Sequence, residues 1–405
     1  MHRASALVLG AAAATMLSAC SSLGASPAPP TWVPSPTFRP GGAEASPIIP
    51  IPARPGGPGQ GSGSQPPGGG GASPTTPASK PREDPNVVAT HLSAPVGLVL
   101  MPDGTALVGE RTTGRIVRVQ PRAGRPTPTV RVLHGLDTSG DGGLLDLALS
   151  PTYVEDGLIY AYVTTPTDNR VVDFTLDGPV TAVFTGIPKG RRGNTGRILF
   201  GADGDLYVGT GDAGNPALAA KPHSLAGKVL RLDSIGDPAK DNPVPSSPIW
   251  TSGHRVVDGL CSVGTTRWIY EVEAGSPDEV NLLGAGTFYG SPRLRSDAVP
   301  PVAGLPSEAG GPGGCAVLDR RLWVTSLSGE ALLWTPLRPG VLSPTVGGFS
   351  TELKHKYGRL RTVVAAPDGA LWLTTSNRDG FGKPVPTDER VIRFLPSAGG
   401  GHSTM

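Results

Sequence analysis

The sequence predicts an all-β protein, a six-bladed β-propeller that follows a disordered Pro- and Gly-rich tether. Three observations carry this. One phrase, a turn followed by a short apolar strand, recurs six times: "PDGTALVGER" from Pro102, "EDGLIYAYVTT" from Glu155, "ADGDLYVGTGD" from Ala202, "GTTRWIYEVE" from Gly264, "LDRRLWVTSLSG" from Leu318 and "PDGALWLTTSN" from Pro367. The phrases return at intervals of roughly 50 residues, the length of a four-stranded blade. Helix-forming runs are scarce throughout. An Asp-Gly pair between alternating apolar residues is a hairpin signal. A four-stranded sheet with two apolar faces needs neighbours on both sides, and a ring of blades supplies them. A pair of β-sandwiches is the other all-β solution, but it leaves the period unexplained.

The N-terminus, "MHRASALVLGAAAATMLSAC", has a basic start and then an apolar run from Ala4 to Leu17. The run is shorter than the roughly 20 residues that span a bilayer, so it reads as a signal segment. Leu17-Ser18-Ala19-Cys20 has the form of a bacterial lipobox. The expectation is a signal peptide over residues 1–19, lipidation at Cys20 and attachment to the outer face of the bacterial cytoplasmic membrane. Residues 20–86 are rich in Pro, Gly and Ser and cannot bury enough apolar surface to fold. The propeller is expected over 87–397 and a disordered tail over 398–405. No other segment is apolar enough to cross a membrane.

The formal charge of +2 and the lack of a basic stripe argue against a nucleic-acid partner. A monomer is expected. Besides Cys20, only Cys261 and Cys315 are present. In an exported chain the two are expected to pair, two separate buried thiols being the alternative. No P-loop, dinucleotide fingerprint, HExxH or GxSxG motif occurs.

The motifs "GDGGLLDLALSPTY", "GNTGRILFGADGDLYVGTGDAG", "SLAGKVLRLD", "TSGHRVVDGL", "SPDEVN", "FYGSP" and "GRLRTVVAAPDGALWLTTS" follow one another in an order that resembles the soluble quinoprotein glucose/sorbosone dehydrogenases. The chain as a whole also resembles a branch of mycobacterial lipoproteins within that family. The resemblance implies a six-bladed propeller with pyrroloquinoline quinone (PQQ) at the channel mouth over a calcium ion. It implies a histidine that takes the proton of the sugar C1 hydroxyl while hydride moves to the quinone. It implies arginines and a lysine that hold the cofactor's carboxylates.

Carried over residue by residue, the resemblance puts the histidine base at Gly193, with Arg192 before it and the base-orienting aspartate at Asp212. Cofactor-binding arginines fall on Arg255, Arg359 and Arg361. The family's asparagine, lysine and glutamine fall on Val256, Ser328 and Asp141. Carbonyls for the bridging calcium fall on Glu273 and Ala274. A second calcium is matched by Glu279, the Tyr289 carbonyl and Asp297, three of the six or so oxygens a hard cation requires.

Each residue also has a plainer reading. Asp212 suits a turn that binds its own loop's N–H groups. Arg255 and His254 could knit two blades. Arg359 and Arg361 alternate on one strand face and point to an anion, a solvated edge being the alternative. His223 is the one stand-in base the sequence offers, and a loop role fits it better. Asp278 and Glu279 face opposite sides of a strand and do not make an acid–base pair. The expected function is a lipid-anchored envelope propeller, catalytically degenerate, that binds a sugar-like or anionic ligand or an envelope protein. The alternatives are a PQQ- and calcium-dependent aldose sugar dehydrogenase and a structural scaffold.

Overall fold

A computed structural model describes residues 84–266, 268–275, 277–292, 296–338 and 345–397. The signal segment, Cys20, nearly all of the expected tether and the expected C-terminal tail lie outside the described residues. No helix among the described residues is long and apolar enough to cross a membrane.

Six antiparallel sheets form the six blades of a propeller. Five follow chain order: blade I starts at Pro95–Leu100, blade II at Leu144–Leu149, blade III at Gly196–Phe200, blade IV at Val257–Ser262 and blade V at Pro312–Leu318. Blade VI is built from Leu360–Ala365, Leu371–Thr375 and Val391–Phe394, and its outer strand is Val87–Ala89 from the other end of the described chain. The two chain ends therefore close the ring within one sheet. Asp84 reinforces this closure: the Tyr357 hydroxyl donates to its carboxylate and Lys356 pairs with it. Residues 84–86, read from sequence as the end of the tether, are thus fastened to the last blade.

Each recurring phrase is the second strand of its blade, with the turn that leads into it: Ala106–Glu110, Ile159–Thr164, Leu206–Thr210, Ile269–Glu273, Arg321–Ser326 and Leu371–Thr375. All but Arg321 in these strands are buried. In blades I, III and VI the Asp-Gly turns are built alike. Gly104, Gly204 and Gly369 have φ of 79°, 83° and 81°, a region that glycine enters without steric cost. Asp103, Asp203 and Asp368 each accept the N–H two residues on. Each also pairs with an arginine of the third strand, Arg118, Arg231 or Arg393.

The apolar core is divided among the six blade interfaces. Tyr162, Val171, Ile198 and Val208, for example, fill the gap between blades II and III. Between blades IV and V the core includes a disulfide, Cys261–Cys315, which joins the two innermost strands. Cross-linking two residues 54 apart restricts the unfolded chain, an effect of roughly 4 kcal/mol on the chain-entropy view.

Candidate functional site

The innermost strands surround a central channel. Its side chains are not all apolar: Asp146, Arg197, Asp258 and Arg361 project from strands that are otherwise core-forming. Arg197 lines both the cavity at one end of the channel, about 660 Å³, and the more apolar cavity at the other, about 430 Å³. It stands between them as a plug. Its Nε donates to the Asp258 carbonyl at 2.6 Å and its Nη2 to the Gly313 carbonyl at 2.5 Å. Its Nη1 lies 3.7 Å from the Asp146 carboxylate. From blade III it therefore reaches blades II, IV and V.

Burial raises the carboxyl of Asp146 to about 6 and that of Asp258 to about 7, with Arg197 opposing the shift in both. Burial pushes Arg361 down to about 10, and the charge of Arg197 adds to the effect. These directions have one cause: charges held in a low dielectric disfavour their ionised forms unless a partner compensates.

The larger cavity is the mouth of the channel. Arg111, Asp141, Arg359 and Arg361 line it together with Arg197 and Asp258. The two arginines the sequence singled out near the C-terminus thus meet in one site, in different states. Arg359 is 8% exposed and already neutralised, with Nε and Nη2 both 2.9 Å from Asp379 Oδ2. Arg361 makes a long hydrogen bond, Nε to Ser376 Oγ at 3.3 Å, and no carboxylate among the described residues is in ion-pair contact with it. Arg111 donates to the carbonyls of Gly140 and Gly142.

The expected base position lies in a loop held rigidly from below. Asp141 Oδ2 accepts the Gly193 N–H at 2.6 Å, and Asp141 Oδ1 accepts Asn194 Nδ2 at 2.6 Å. Gly193 has φ of 72°, and a Cβ added there would lie 2.6 Å from Asp212 Oδ1 and 2.7 Å from the Gly214 nitrogen. A side chain at this position therefore requires Asp212 or the Gly214 backbone to shift. Asp212 accepts the Gly214 N–H instead, and burial raises its carboxyl. Among the described residues no histidine lines the cavity. His223 is exposed and absent from the cavity lining.

Arg255 is exposed and outside the cavity lining, while its neighbour Val256 lines it. The Arg255 N–H donates to Glu273 and its carbonyl accepts the Asp212 N–H. Ser328 is exposed. Of the residues matched to a second calcium, Glu279 is half-buried and sits opposite Glu273 across two strands. Tyr289 is buried, and its hydroxyl donates to the Leu282 carbonyl. Asp297 is exposed. Asp278 accepts the N–H groups of Gly275 and Gly311, a loop-bracing role.

Sequence reasoning did not single out Arg111, Asp146, Arg197 or Asp258. The signal was present for the last three: a lone charge inside "LLDLAL", "GRILF" and "VDGL".

With this geometry in view, the likenesses to known proteins are specific. The Glucose / Sorbosone dehydrogenase family model matches residues 92–299, just over half of the chain. The chain is 38% identical to the PQQ-bound form of an aldose sugar dehydrogenase from Streptomyces coelicolor. That likeness covers 76% of this chain and 96% of the other, with a TM-score of 0.72. It is 29% identical to quinoprotein glucose dehydrogenase B of Acinetobacter calcoaceticus over 52% of this chain and 52% of the relative. An aldose sugar dehydrogenase of Escherichia coli is 26% identical over 51% of this chain and 61% of its own length. The chain spans about half the length of the curated relatives it matches. An all-β ring of six blades, a charged channel mouth and a family match across blades I to IV lead to one statement: the chain belongs to the glucose/sorbosone dehydrogenase family.

Proposed function

We propose that the protein is a monomeric, lipid-anchored propeller of the bacterial cell envelope that binds a carboxylate-bearing small molecule in its channel mouth and has lost ordinary sugar dehydrogenase activity. The observation that carries the second half is the loop at Gly193, where the expected histidine is replaced by a glycine at φ of 72° and a Cβ would require Asp212 or the Gly214 backbone to shift. A missing general base typically costs 10²–10⁴-fold in rate. The lipobox at Leu17–Cys20 and the Pro/Gly/Ser-rich segment after it support the anchoring.

The residues present suit an anion better than they suit the reaction. PQQ is a tricarboxylate, and when bound it supplies a quinone that accepts hydride. Arg361, half-buried and in ion-pair contact with no carboxylate among the described residues, and Arg359 beside it would hold its carboxylates. Charged hydrogen bonds of this kind contribute roughly 1.5–3 kcal/mol each. The carbonyls of Glu273 and Ala274 are available to a calcium ion whatever their side chains, so calcium is retained in the proposal only alongside PQQ.

The test is a PQQ titration of the purified protein with Ca²⁺, followed by an aldose panel with a dye acceptor. Saturable binding without turnover is expected. Arg361→Ala should weaken binding by roughly 10- to 100-fold, the loss of one charged hydrogen-bonding partner. Arg359→Ala should weaken it less, because Arg359 is already paired with Asp379. Turnover in the ordinary enzymatic range would overturn the degenerate reading. It would favour an active dehydrogenase with a relocated base, and Asp258, a cavity carboxylate raised to about 7, is the group placed for it. No binding and no turnover would leave the scaffold reading. Cys20→Ala protein should leave the membrane fraction, and its retention there would remove the anchor.

A further inference from the structure

A second group of buried charges lies where blade III passes into blade IV, outside the channel. His254 is in the link between Ile249–Ser252 and Val257–Ser262, and Glu271 and Glu273 are on Ile269–Glu273. Their exposures are 0%, 0% and 6%, and none of the three lines the mouth cavity. His254 Nδ1 lies 3.4 Å from Glu273 Oε2 and 3.7 Å from Glu271 Oε2. One ligand atom from each residue falls within 4.8 Å of the others.

We propose that His254, Glu271 and Glu273 form a buried binding site for a divalent cation of the zinc class. Four ligands at about 2.1 Å in a tetrahedron lie about 3.4 Å from one another. The His254–Glu273 and His254–Glu271 separations are close to such an edge.

The surroundings are those of a ligand set rather than of a closed ion pair. His254 Nε2 is 2.8 Å from Thr251 Oγ1, and the ring stacks on Tyr289 at 5.0 Å between centroids. Both contacts fix the ring with Nδ1 turned to the carboxylates. Asn281 Nδ2 donates to Glu271 Oε2 at 2.9 Å and the Arg255 N–H to Glu273 Oε1 at 2.6 Å. Such outer contacts orient metal ligands. Yet His254 Nδ1, Glu271 Oε1 and Asn281 Oδ1 are buried with no hydrogen-bond partner. Among the described residues no lysine or arginine side chain forms an ion pair with either glutamate. The cluster is short of positive charge. A shared proton satisfies one contact and leaves other orphaned atoms in place, whereas a cation draws in several at once.

The ligand chemistry selects the class. One imidazole and two carboxylates suit zinc or a similar first-row ion, with Asn281 Oδ1 or a water in the fourth place. Calcium and magnesium prefer more oxygens. The site would clamp the link that leaves blade III to the second strand of blade IV, and it does not depend on the reading of the channel mouth.

The experiment uses the full-length protein in detergent, stripped with a chelator that is then removed. One equivalent of Co²⁺ should give the visible absorption of a four-coordinate nitrogen–oxygen site. One equivalent of Zn²⁺ should bind and raise the unfolding midpoint. Glu271→Gln and His254→Gln, each close in size to the parent side chain, should weaken binding by about 100-fold or more. No cobalt spectrum together with an unmoved midpoint in the parent would sink the proposal, whether or not the variants fold. So would undiminished binding by either folded variant, which would place the metal elsewhere. A parent that takes up no metal but is stabilised by Glu271→Gln would identify a proton-sharing acid pair, and the metal site would be withdrawn.

Discussion

The channel axis and the junction of blades III and IV each bury two carboxylates, and each answers them differently. On the axis Asp146 and Asp258 have Arg197 among them and Arg361 near them. At the junction, His254 is the one basic side chain among the described residues in ion-pair range of Glu271 and Glu273. Removing charge from water is costly in both places, so the partner that is missing shows what each place is short of. On the readings proposed above, the axis offers Arg361, in ion-pair contact with no carboxylate among the described residues, to an anion. The junction offers two carboxylates to a cation. These proposals give one fold two places of opposite preference, and the second does not line the mouth cavity.

The axis half of this comparison breaks most visibly at Arg197. Arg197→Met keeps much of the length but removes the charge and the donors to Asp258 and Gly313. It leaves two buried carboxylates without their main partner. The expected loss of stability is about 3–5 kcal/mol by urea unfolding, the usual cost of orphaning a buried charge. Arg255→Met, at an exposed position, is the control and should stay within about 0.5 kcal/mol. Equal effects would mean that the plug holds nothing together.

A pH series sharpens the comparison through Asp258. Its folded carboxyl is raised to about 7, above the unfolded value near 3.8. Between those values the folded state keeps a proton that the unfolded state has released. The stability this proton represents is complete below about pH 4 and is lost as pH rises toward 7. Asparagine does not titrate. The stability of Asp258→Asn relative to the parent should therefore grow with pH through this window, at up to about 1.4 kcal/mol per unit. A gap that stays flat would mean that Arg197 holds Asp258 ionised throughout.

The fold was legible because it repeats. Six second strands announced themselves by turn chemistry and apolar alternation, and each lies in its own blade. The closing strand, Val87–Ala89, is three residues with no turn motif, and only its pairing with Val391–Phe394 gives it meaning. Of the positions a resemblance supplied, Arg359 and Arg361 line the channel mouth, whereas Gly193 and Arg255 do not. The site was not legible where charges converge from separate blades. Blade II has "IYAYVT" where blade IV has "IYEVE", both buried throughout. Two glutamates in such a strand signal that something must meet them, but the sequence does not say that His254 does. Asp141 was noted only as a replaced glutamine. Its hold on Gly193 and Asn194 needs the distance between two loops about fifty residues apart in sequence to close.

The smallest expected effect on stability asks whether the axis site merely lacks a base. If it does, Gly193→His should restore turnover with PQQ and an aldose. The geometry argues otherwise. A side chain at φ of 72° costs roughly 1–2 kcal/mol, and the Asp212 carboxylate already occupies the direction a Cβ would take. Asp141 also pins the Gly193 amide, so the loop cannot swing away freely. The variant should lose about 1–2 kcal/mol of stability and gain no turnover. Asp141→Gln, which puts back the residue type the family resemblance expects, should ease the hold and make Gly193→His less costly when the two are combined. If the single change alone produced a working dehydrogenase, the loop would be far more compliant than its hydrogen bonds indicate, and the axis would be an intact catalytic site missing one imidazole.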